Sequence, residues 1–151
     1  MMTGTAYINK FLTRDYRDDD YIKVVHLWKK TDMASPERGD DKETIKRTIS
    51  LGGCLLLLEE KSTGQICGTS WMTFDGRRLL LHHFGILPEF QGNGLAKILL
   101  EKTLDIAKER GYQIKIEVHR TNKGALNLYK KSGFLEMVDY GIFILRDPSK
   151  I

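Results

Sequence analysis

The chain has 151 residues, which is the size of one domain with its own hydrophobic core, and we expect a single domain over residues 1–151. No apolar run approaches the roughly 18 residues of a membrane span, so the composition argues against a membrane protein. The net charge of +4 is too small to predict a nucleic-acid partner.

The first residues, Met1 to Thr5, lack the apolar core of a signal peptide, so we expect a cytoplasmic protein. The two cysteines, Cys54 and Cys67, fall in neighbouring predicted strands. Counting outward from the intervening turn does not place them opposite each other. We therefore predict two reduced thiols in the core.

The N-terminal third is predicted to form one strand and two helices. Residues 7–11 have the composition of a strand. The acidic run 18–20 precedes apolar residues at helical spacing, and acidic residues suit a helix N-terminus. A loop over residues 31–41, with Pro36, leads to a second helix over residues 42–51.

Three strands follow, at residues 54–59, 66–74 and 79–87, and short turns rich in glycine separate them. These turns predict consecutive antiparallel hairpins. The pattern then changes to helical spacing after Pro88. The remaining elements are predicted to be a helix ending before Gly111, a strand over 112–118, a helix from Asn122 to Lys131, and two last strands at 134–137 and 140–145.

These elements predict an α+β fold. The sheet is mixed and mostly antiparallel, has about seven strands, and carries helices on both faces. The strand ending at Leu87 and the strand starting near Tyr112 are separated by a helix, so they are expected to be parallel. No repeat or linker divides the chain.

The junction of the third hairpin strand with the following helix, Gln91-Gly92-Asn93-Gly94-Leu95-Ala96, predicts a phosphate site. Unpaired N–H groups and the positive end of a helix dipole meet there, and glycines let a ligand approach the backbone. A nucleoside-triphosphate loop is excluded, because no Gly-Lys-Ser or Gly-Lys-Thr occurs in the chain. The dinucleotide fingerprint lacks its third glycine, which is replaced by Lys97, and three hairpin strands precede it.

A second motif, Asn122-x-x-Ala125-x-x-Leu128-Tyr129-x-x-x-Gly133-Phe134, follows one strand later. Together with the Gln91 to Ala96 turn and Ile86-Leu87-Pro88, it resembles the GNAT superfamily of acetyl-coenzyme A dependent N-acetyltransferases. The order of predicted strands and helices agrees from near Tyr7 to Leu145. The resemblance implies the fold of that superfamily and acetyl-CoA as cosubstrate.

The resemblance also implies which residues bind coenzyme A. The turn from Gln91 to Ala96 would hold the pyrophosphate through its backbone. The strand residues before it would pair with the pantetheine arm as an added strand, and Gly85 is compatible with a bulge. Asn122 would hydrogen-bond the pantetheine or serve as a plain helix N-cap. The implied residues are Phe84, Gly85, Ile86, Gln91, Gly92, Asn93, Gly94, Leu95, Ala96, Asn122 and Tyr129.

The family's usual mechanism is direct attack by a neutral amine on the thioester carbonyl. The resemblance makes Tyr129 the group that protonates the departing sulfur, and the alternative is an aromatic core residue. His82 is our candidate base, against the alternative of a structural histidine. By strand alternation His82 is expected to share a face with Phe84 and Ile86, whereas His83 points the other way.

The acceptor is expected to be a small-molecule or protein amine. In this fold the first two helices and the loop between them, here Trp28 to Asp41, contribute most to its recognition. Glu37, Asp40 and Asp41 could attract a cation there, and the alternative is that they are solvated loop charges. No spacing of His, Cys and carboxylates predicts a metal site. The final strands often mediate homodimers in this fold. A non-catalytic acyl-CoA binding module and, more distantly, a nicotinamide oxidoreductase are the alternatives.

Overall fold

The computed structural model of the protein describes residues 4–150. Met1 to Thr3, part of the stretch considered for a signal peptide, and Ile151 lie outside the described residues. By its internal contacts the chain divides into two compact units, the first ending at Glu117 and the second beginning at Val118. The two units are described in turn.

The first unit is built on a five-stranded sheet in the order β1-β2-β3-β4-β5. Neighbouring strands from β1 to β4 are antiparallel, and β4 and β5 are parallel, as predicted. The strands are β1 (Phe11–Asp15), β2 (Cys54–Glu60), β3 (Ile66–Phe74), β4 (Arg78–Ile86) and β5 (Gln113–Ile116).

Three helices of this unit match their predicted places: α2 (Tyr21–Lys30), α3 (Lys42–Ser50) and α4 (Leu95–Arg110). The Asp41 carboxylate caps α3 by accepting the Thr44 N–H at 2.7 Å. Gly111, at φ 72°, ends α4 in the left-handed conformation that glycine adopts most readily. Local signals at the helix ends therefore suffice to predict them.

The helices cover both faces of the sheet, also as predicted. Leu55 and Leu57 of β2 join a core with residues of α2 and α3, among them Trp28 and Ile45. The alternate β2 residues, Leu56 and Leu58, join a second core with Leu95 and Leu99 of α4. Because neighbouring residues of a strand point to opposite faces, the continuous apolar run of β2 is explained by helices on both sides.

The prediction of a first strand at residues 7–11 was wrong. A short helix, α1 (Gly4–Ile8), precedes a strand that begins only at Phe11. Tyr7 and Phe11 are four residues apart, and their ring centroids lie 5.2 Å from each other. The strand starts where its backbone meets β2, with Phe11 opposite Glu60, so pairing decides its position.

Cys54 and Cys67 are buried and free, as predicted. Cys54 lies opposite Met72 in the ladder. Burial raises the pKa of Cys54 to about 11 and the pKa of Cys67 to about 12. Both thiols therefore stay protonated at neutral pH and pack as small apolar side chains.

The second unit contains α5 (Lys123–Lys131) and a C-terminal segment. The two strands predicted at residues 134–137 and 140–145 were wrong for the described chain, where these residues belong to no strand. The sheet accordingly has five strands rather than about seven. An alternating apolar pattern does not by itself supply a partner for the backbone, and the large apolar residues there are 63% to 96% exposed: Leu135, Met137, Val138, Tyr140, Ile142, Phe143, Ile144 and Leu145.

Candidate active site

The predicted phosphate-binding turn lies between β4 and α4. Pro88–Phe90 forms a single turn of 3-10 helix after β4, and α4 begins at Leu95. Gly92 at φ 80° and Gly94 at φ 81° both adopt the left-handed conformation. A Cβ atom added to either glycine would meet no atom within 4 Å, so the space above the turn is open.

The N–H groups of this turn are available to a ligand. Within residues 4–150, the N–H groups from Gly92 to Lys97 donate to no acceptor; they belong to the turn and to the first residues of the 16-residue helix α4. The Gln91 side-chain amide donates to the Ile86 carbonyl at 2.8 Å, and the Asn93 amide donates to the Gln91 carbonyl at 3.2 Å. The geometry fits a pyrophosphate, which offers oxygen acceptors and negative charge.

A bulge interrupts β4 just before this turn. Trp71 of β3 lies opposite His82 and Thr69 lies opposite Gly85, so two residues of β4 face only Ser70. His83, one of the two, has φ 40°, which is uncommon for a residue other than glycine. Bulges redirect side chains and are frequent beside active sites.

The bulge changes the side to which the histidines point. His82 contacts Thr73 and His83 contacts Trp28, so both side chains lie on the α2 and α3 side of the sheet. Phe84 and Ile86 instead pack in the core on the α4 side. The prediction that His82 shares a face with Phe84 and Ile86, opposite His83, was therefore wrong, because strict alternation does not hold across the bulge.

His82 is exposed, and its Nε2 lies 2.8 Å from the Thr73 hydroxyl oxygen, within hydrogen-bond distance. The groups that crowd around the ring remove part of its hydration, which lowers the pKa of His82 below its usual value, and the neighbouring His83 lowers it further. At neutral pH the imidazole is therefore neutral. It is a base that solvent can reach.

His83 has a more enclosed environment. Its Nε2 lies 2.7 Å from Oδ2 of Asp40, and its ring centroid lies 4.5 Å from that of Trp28 and 5.3 Å from that of Trp71. The His83 carbonyl accepts the Thr69 hydroxyl at 2.7 Å. Both the side chain and the backbone of His83 are thus fixed.

The loop between α2 and α3 uses two of its three predicted cation-attracting acids internally. Asp40 is buried and accepts the Ser35 N–H at 2.6 Å as well as the His83 ring. Asp41 caps α3. Glu37 alone of the three is exposed without such a contact in the described chain.

The second unit carries the other two predicted residues. The side chain of Asn122 accepts the Ala125 N–H at 3.1 Å and caps α5, which is one of its two predicted roles. Tyr129 is 6% exposed, and its ring centroid lies 5.4 Å from that of Phe134. Burial raises the pKa of Tyr129, so the phenol keeps its proton at neutral pH.

Sequence reasoning missed the environment of His83. The sequence pattern indicates Asp40 only as an attractor of cations, and no pattern distinguishes Thr69 or Trp71. Asp40 and His83 are 43 residues apart, and no local pattern connects them. The only sequence signal was Gly85, which was compatible with a bulge.

Residues 4–150 contain no group of three or more His, Cys, Asp or Glu side chains that could hold a metal ion. No helix in that range is long and apolar enough to cross a membrane.

Comparison with known proteins gives one family. The sequence model of the acetyltransferase (GNAT) family matches residues 12–134, which is most of the chain. That range contains the glycine turn, the bulge, Asn122 and Tyr129.

Solved structures with the same fold include three whose names specify a ligand or an acceptor. A predicted acetyltransferase from Clostridium acetobutylicum, determined with acetyl-CoA, has a TM-score of 0.71 and 20% identity over 89% of this chain and 96% of that one. The ribosomal-protein-S18-alanine N-acetyltransferase of Escherichia coli has a TM-score of 0.71 and 20% identity over 83% of this chain and 78% of that one. The glucosamine-6-phosphate N-acetyltransferase of Arabidopsis thaliana has a TM-score of 0.68 and 20% identity over 89% of this chain and 96% of that one.

Proposed function

The chain belongs to the GNAT family of acetyltransferases, and on this premise we propose that it moves an acetyl group from acetyl-CoA to a primary amine by direct attack in a ternary complex. The observation that carries the proposal is the turn before α4. Its two left-handed glycines leave open space, and its N–H groups donate to no acceptor within residues 4–150. Such a turn suits the pyrophosphate of coenzyme A.

The residues that would bind coenzyme A follow the course of β4. Gln91, Gly92, Asn93, Gly94, Leu95 and Ala96 would hold the pyrophosphate. The ladder between β4 and β5 ends with Leu81 opposite Ile116, whereas β4 continues to Ile86. The backbone of Phe84, Gly85 and Ile86 would therefore pair with the pantetheine arm, as a peptide strand pairs with a sheet edge. Asn122 would add a side-chain hydrogen bond.

Coenzyme A supplies the acetyl group as a thioester, and side chains of the protein accept and donate the protons of the reaction. His82 takes the proton of the ammonium acceptor, directly or through water, because its lowered pKa makes it neutral at pH 7. Tyr129, protonated because burial raises its pKa, donates to the departing sulfur. A backbone N–H near Phe84 stabilises the negative charge on the carbonyl oxygen.

The acceptor is a small-molecule or protein amine. Two GNAT-fold structures of similar topology are named for a protein alanine and for a sugar phosphate amine, so the fold accommodates both classes. In this chain Asp40 and Asp41 are occupied within the protein, which leaves Glu37 among the predicted acids to attract an ammonium group. Met33 adds an apolar contact where it lies over Gly85.

The test is thiol release from acetyl-CoA over a panel of primary amines, each paired with its N,N-dimethyl form as a matched control. The panel includes diamines, amino sugars and short peptides with a free N-terminus. The expected result is release above background for a subset of primary amines and none for their dimethyl forms, which cannot form a stable amide. Coenzyme A binding without release for any amine would contradict the proposed reaction and favour a binding module.

A further inference from the structure

Two contacts join the loop of residues 31–41, called here the acceptor loop, to the bulge of β4. A Cβ atom added to Gly85 would lie 2.8 Å from Cε of Met33, so this methionine covers the bulge. Asp40 is within hydrogen-bond distance of His83 at 2.7 Å. We propose that Asp40 and His83 are positioning residues, which hold the acceptor loop against the bulge during acetyl transfer. This inference rests on the proposed function.

The backbone of His83 is in a conformation that needs support from its surroundings. A residue with a side chain is disfavoured at φ 40°, and such outliers persist where neighbouring groups determine them. The support for the backbone comes from the Thr69 hydroxyl, which donates to the His83 carbonyl and itself accepts the Trp28 indole N–H at 3.0 Å. The Asp40 contact supplies the support for the side chain.

Asp40 depends on the same contact. Its side chain is 7% exposed, and a buried carboxylate is costly unless donors surround it. Its Oδ2 has two donors: the Ser35 N–H at 2.6 Å, from the same loop, and the His83 ring. The acceptor loop is thus folded around a carboxylate whose second donor comes from the bulge.

The arrangement separates the task of His83 from that of His82. With Nε2 directed at a buried carboxylate and with Trp28 and Trp71 against its ring, His83 is held in one orientation. His82 is exposed, and it contacts the Thr73 hydroxyl and one side of the Trp71 ring, with 6.0 Å between the ring centroids. A fixed, enclosed imidazole suits the positioning of the bulge backbone, whereas an accessible one suits proton transfer.

Loss of the pair is expected to affect the reaction more than coenzyme A binding. A misplacement of reacting groups by about 1 Å lowers turnover on the order of 100-fold. We therefore expect His83→Leu to lower kcat by about 10- to 100-fold and to raise the amine KM. The dissociation constant of coenzyme A should stay within about twofold, because the pyrophosphate contacts the separate turn at residues 91–96.

The experiment compares His83→Leu, Asp40→Asn, the double variant and His83→Gln, with His26→Gln as the control for a histidine substitution elsewhere. Gln keeps a donor amide and should restore part of kcat. Because both residues act through one contact, the double variant should lose less than the sum of the two single losses. The acid limb of the pH profile should persist in every variant, since His83 is not the base. In the variants without His83 it should lie at a higher pH, because His83 lowers the pKa of His82. Melting temperatures confirm that each assay is run on folded protein.

Amide hydrogen exchange tests the contact between Asp40 and His83 without the need for an amine substrate. In His83→Leu, or in Asp40→Asn if the first fails to fold, exchange should accelerate in the acceptor loop and at residues 82–86 but not at 91–96. The positioning inference alone would be overturned by any of four results. Hydrogen exchange could be unchanged in the variants, kcat and KM could be unchanged, or the losses of the two single variants could add strictly in the double variant. The fourth result is loss of the acid limb in a variant that is still active. A wild-type protein that binds coenzyme A but acetylates no amine would overturn the proposed function, and with it the positioning role.

Discussion

Removal of a single atom, the hydroxyl oxygen of Tyr129, tests one proposed step, which is protonation of the departing sulfur. Tyr129→Phe keeps the buried ring and its contact with Phe134 but removes the proton donor. General acid catalysis contributes about 10²- to 10⁴-fold, so kcat should fall by a factor in that range while coenzyme A binding is unchanged. Tyr140→Phe, at an exposed tyrosine, is the matched control in steady-state assays. Unaltered turnover in Tyr129→Phe would exclude Tyr129 as the donor.

The base can be identified from the pH dependence of kcat/KM. A general base works only when it is neutral, and the pKa of His82 is lowered, so activity should fall only at a pH below the usual titration range of a histidine. His82→Gln should remove this acid limb and lower kcat/KM by about 10²-fold at neutral pH. Thr73→Val, which removes the hydrogen bond to the ring, should keep the limb. An acid limb that persists in His82→Gln would assign the base to another group or to water.

At the scale of single residues, the identities of the candidate site residues were predictable from the sequence, but the directions of the two histidine side chains were not. The Gln91 to Ala96 turn follows from glycine chemistry, and Asn122 from its preference for helix N-termini. The directions of His82 and His83 depend on one extra residue in β4, and nothing local distinguishes a bulged strand from a regular one. The contact between His83 and Asp40 is formed only when two distant segments meet.

Among the elements, the turn before α4 needs glycine for its left-handed backbone and is also proposed to bind coenzyme A. Comparison of Gly94 with a glycine of similar conformation in another turn distinguishes these two roles. Gly94 has φ 81° and Gly76 has φ 88°, and a Cβ atom at either would meet nothing within 4 Å. Gly94→Ala and Gly76→Ala should each destabilise the protein by about 1–2 kcal/mol, the cost of the left-handed conformation for alanine. Only Gly94→Ala should weaken coenzyme A binding, by about tenfold or more in calorimetry. Equal affinities for the two variants would remove the turn from the proposed site.

The helix α5 offers a similar separation at its first residue. Asn122→Asp keeps an oxygen that can accept the Ala125 N–H, whereas Asn122→Ala loses the cap and about 1 kcal/mol of stability. Neither variant has the amide donor. If Asn122 also donates to the pantetheine, both should lower coenzyme A affinity, and only Asn122→Ala should lower the unfolding free energy in urea. Normal affinity in Asn122→Asp would leave Asn122 with the capping role alone.

For the whole molecule, the limit of prediction lies in pairing between distant segments. The hairpins β2-β3 and β3-β4 were predictable because short turns join their strands. The start of β1 was not, since it is set by β2 more than 40 residues later. The apolar alternation at residues 134–145 suggested strands, but in the described chain these residues lie in a unit without a ladder.

One ion pair between β1 and the start of α2 is expected to govern how the stability of the whole fold depends on pH. Arg14 of β1 makes two hydrogen bonds of 2.8 Å to the buried carboxylate of Asp20, which immediately precedes α2. These bonds, together with the Arg17 N–H, lower the pKa of Asp20. The acidic run predicted to favour a helix start therefore has a second task, which is to fix that start to the sheet.

Asp20→Asn should lower the unfolding free energy at pH 7 by about 1–3 kcal/mol, because it removes a charged acceptor from a buried pair. The folded pKa of Asp20 is below the unfolded value of about 3.9, so its contribution is complete above that value and is lost as the pH falls towards the folded pKa. Urea unfolding at pH 7, 5 and 3 should therefore show the difference between wild type and Asp20→Asn shrinking only at the lowest pH. Asp19→Asn, at an exposed residue of the same turn, should show a difference near zero throughout. A difference that is constant from pH 7 to pH 3 would mean that the Asp20 charge does not contribute to folding.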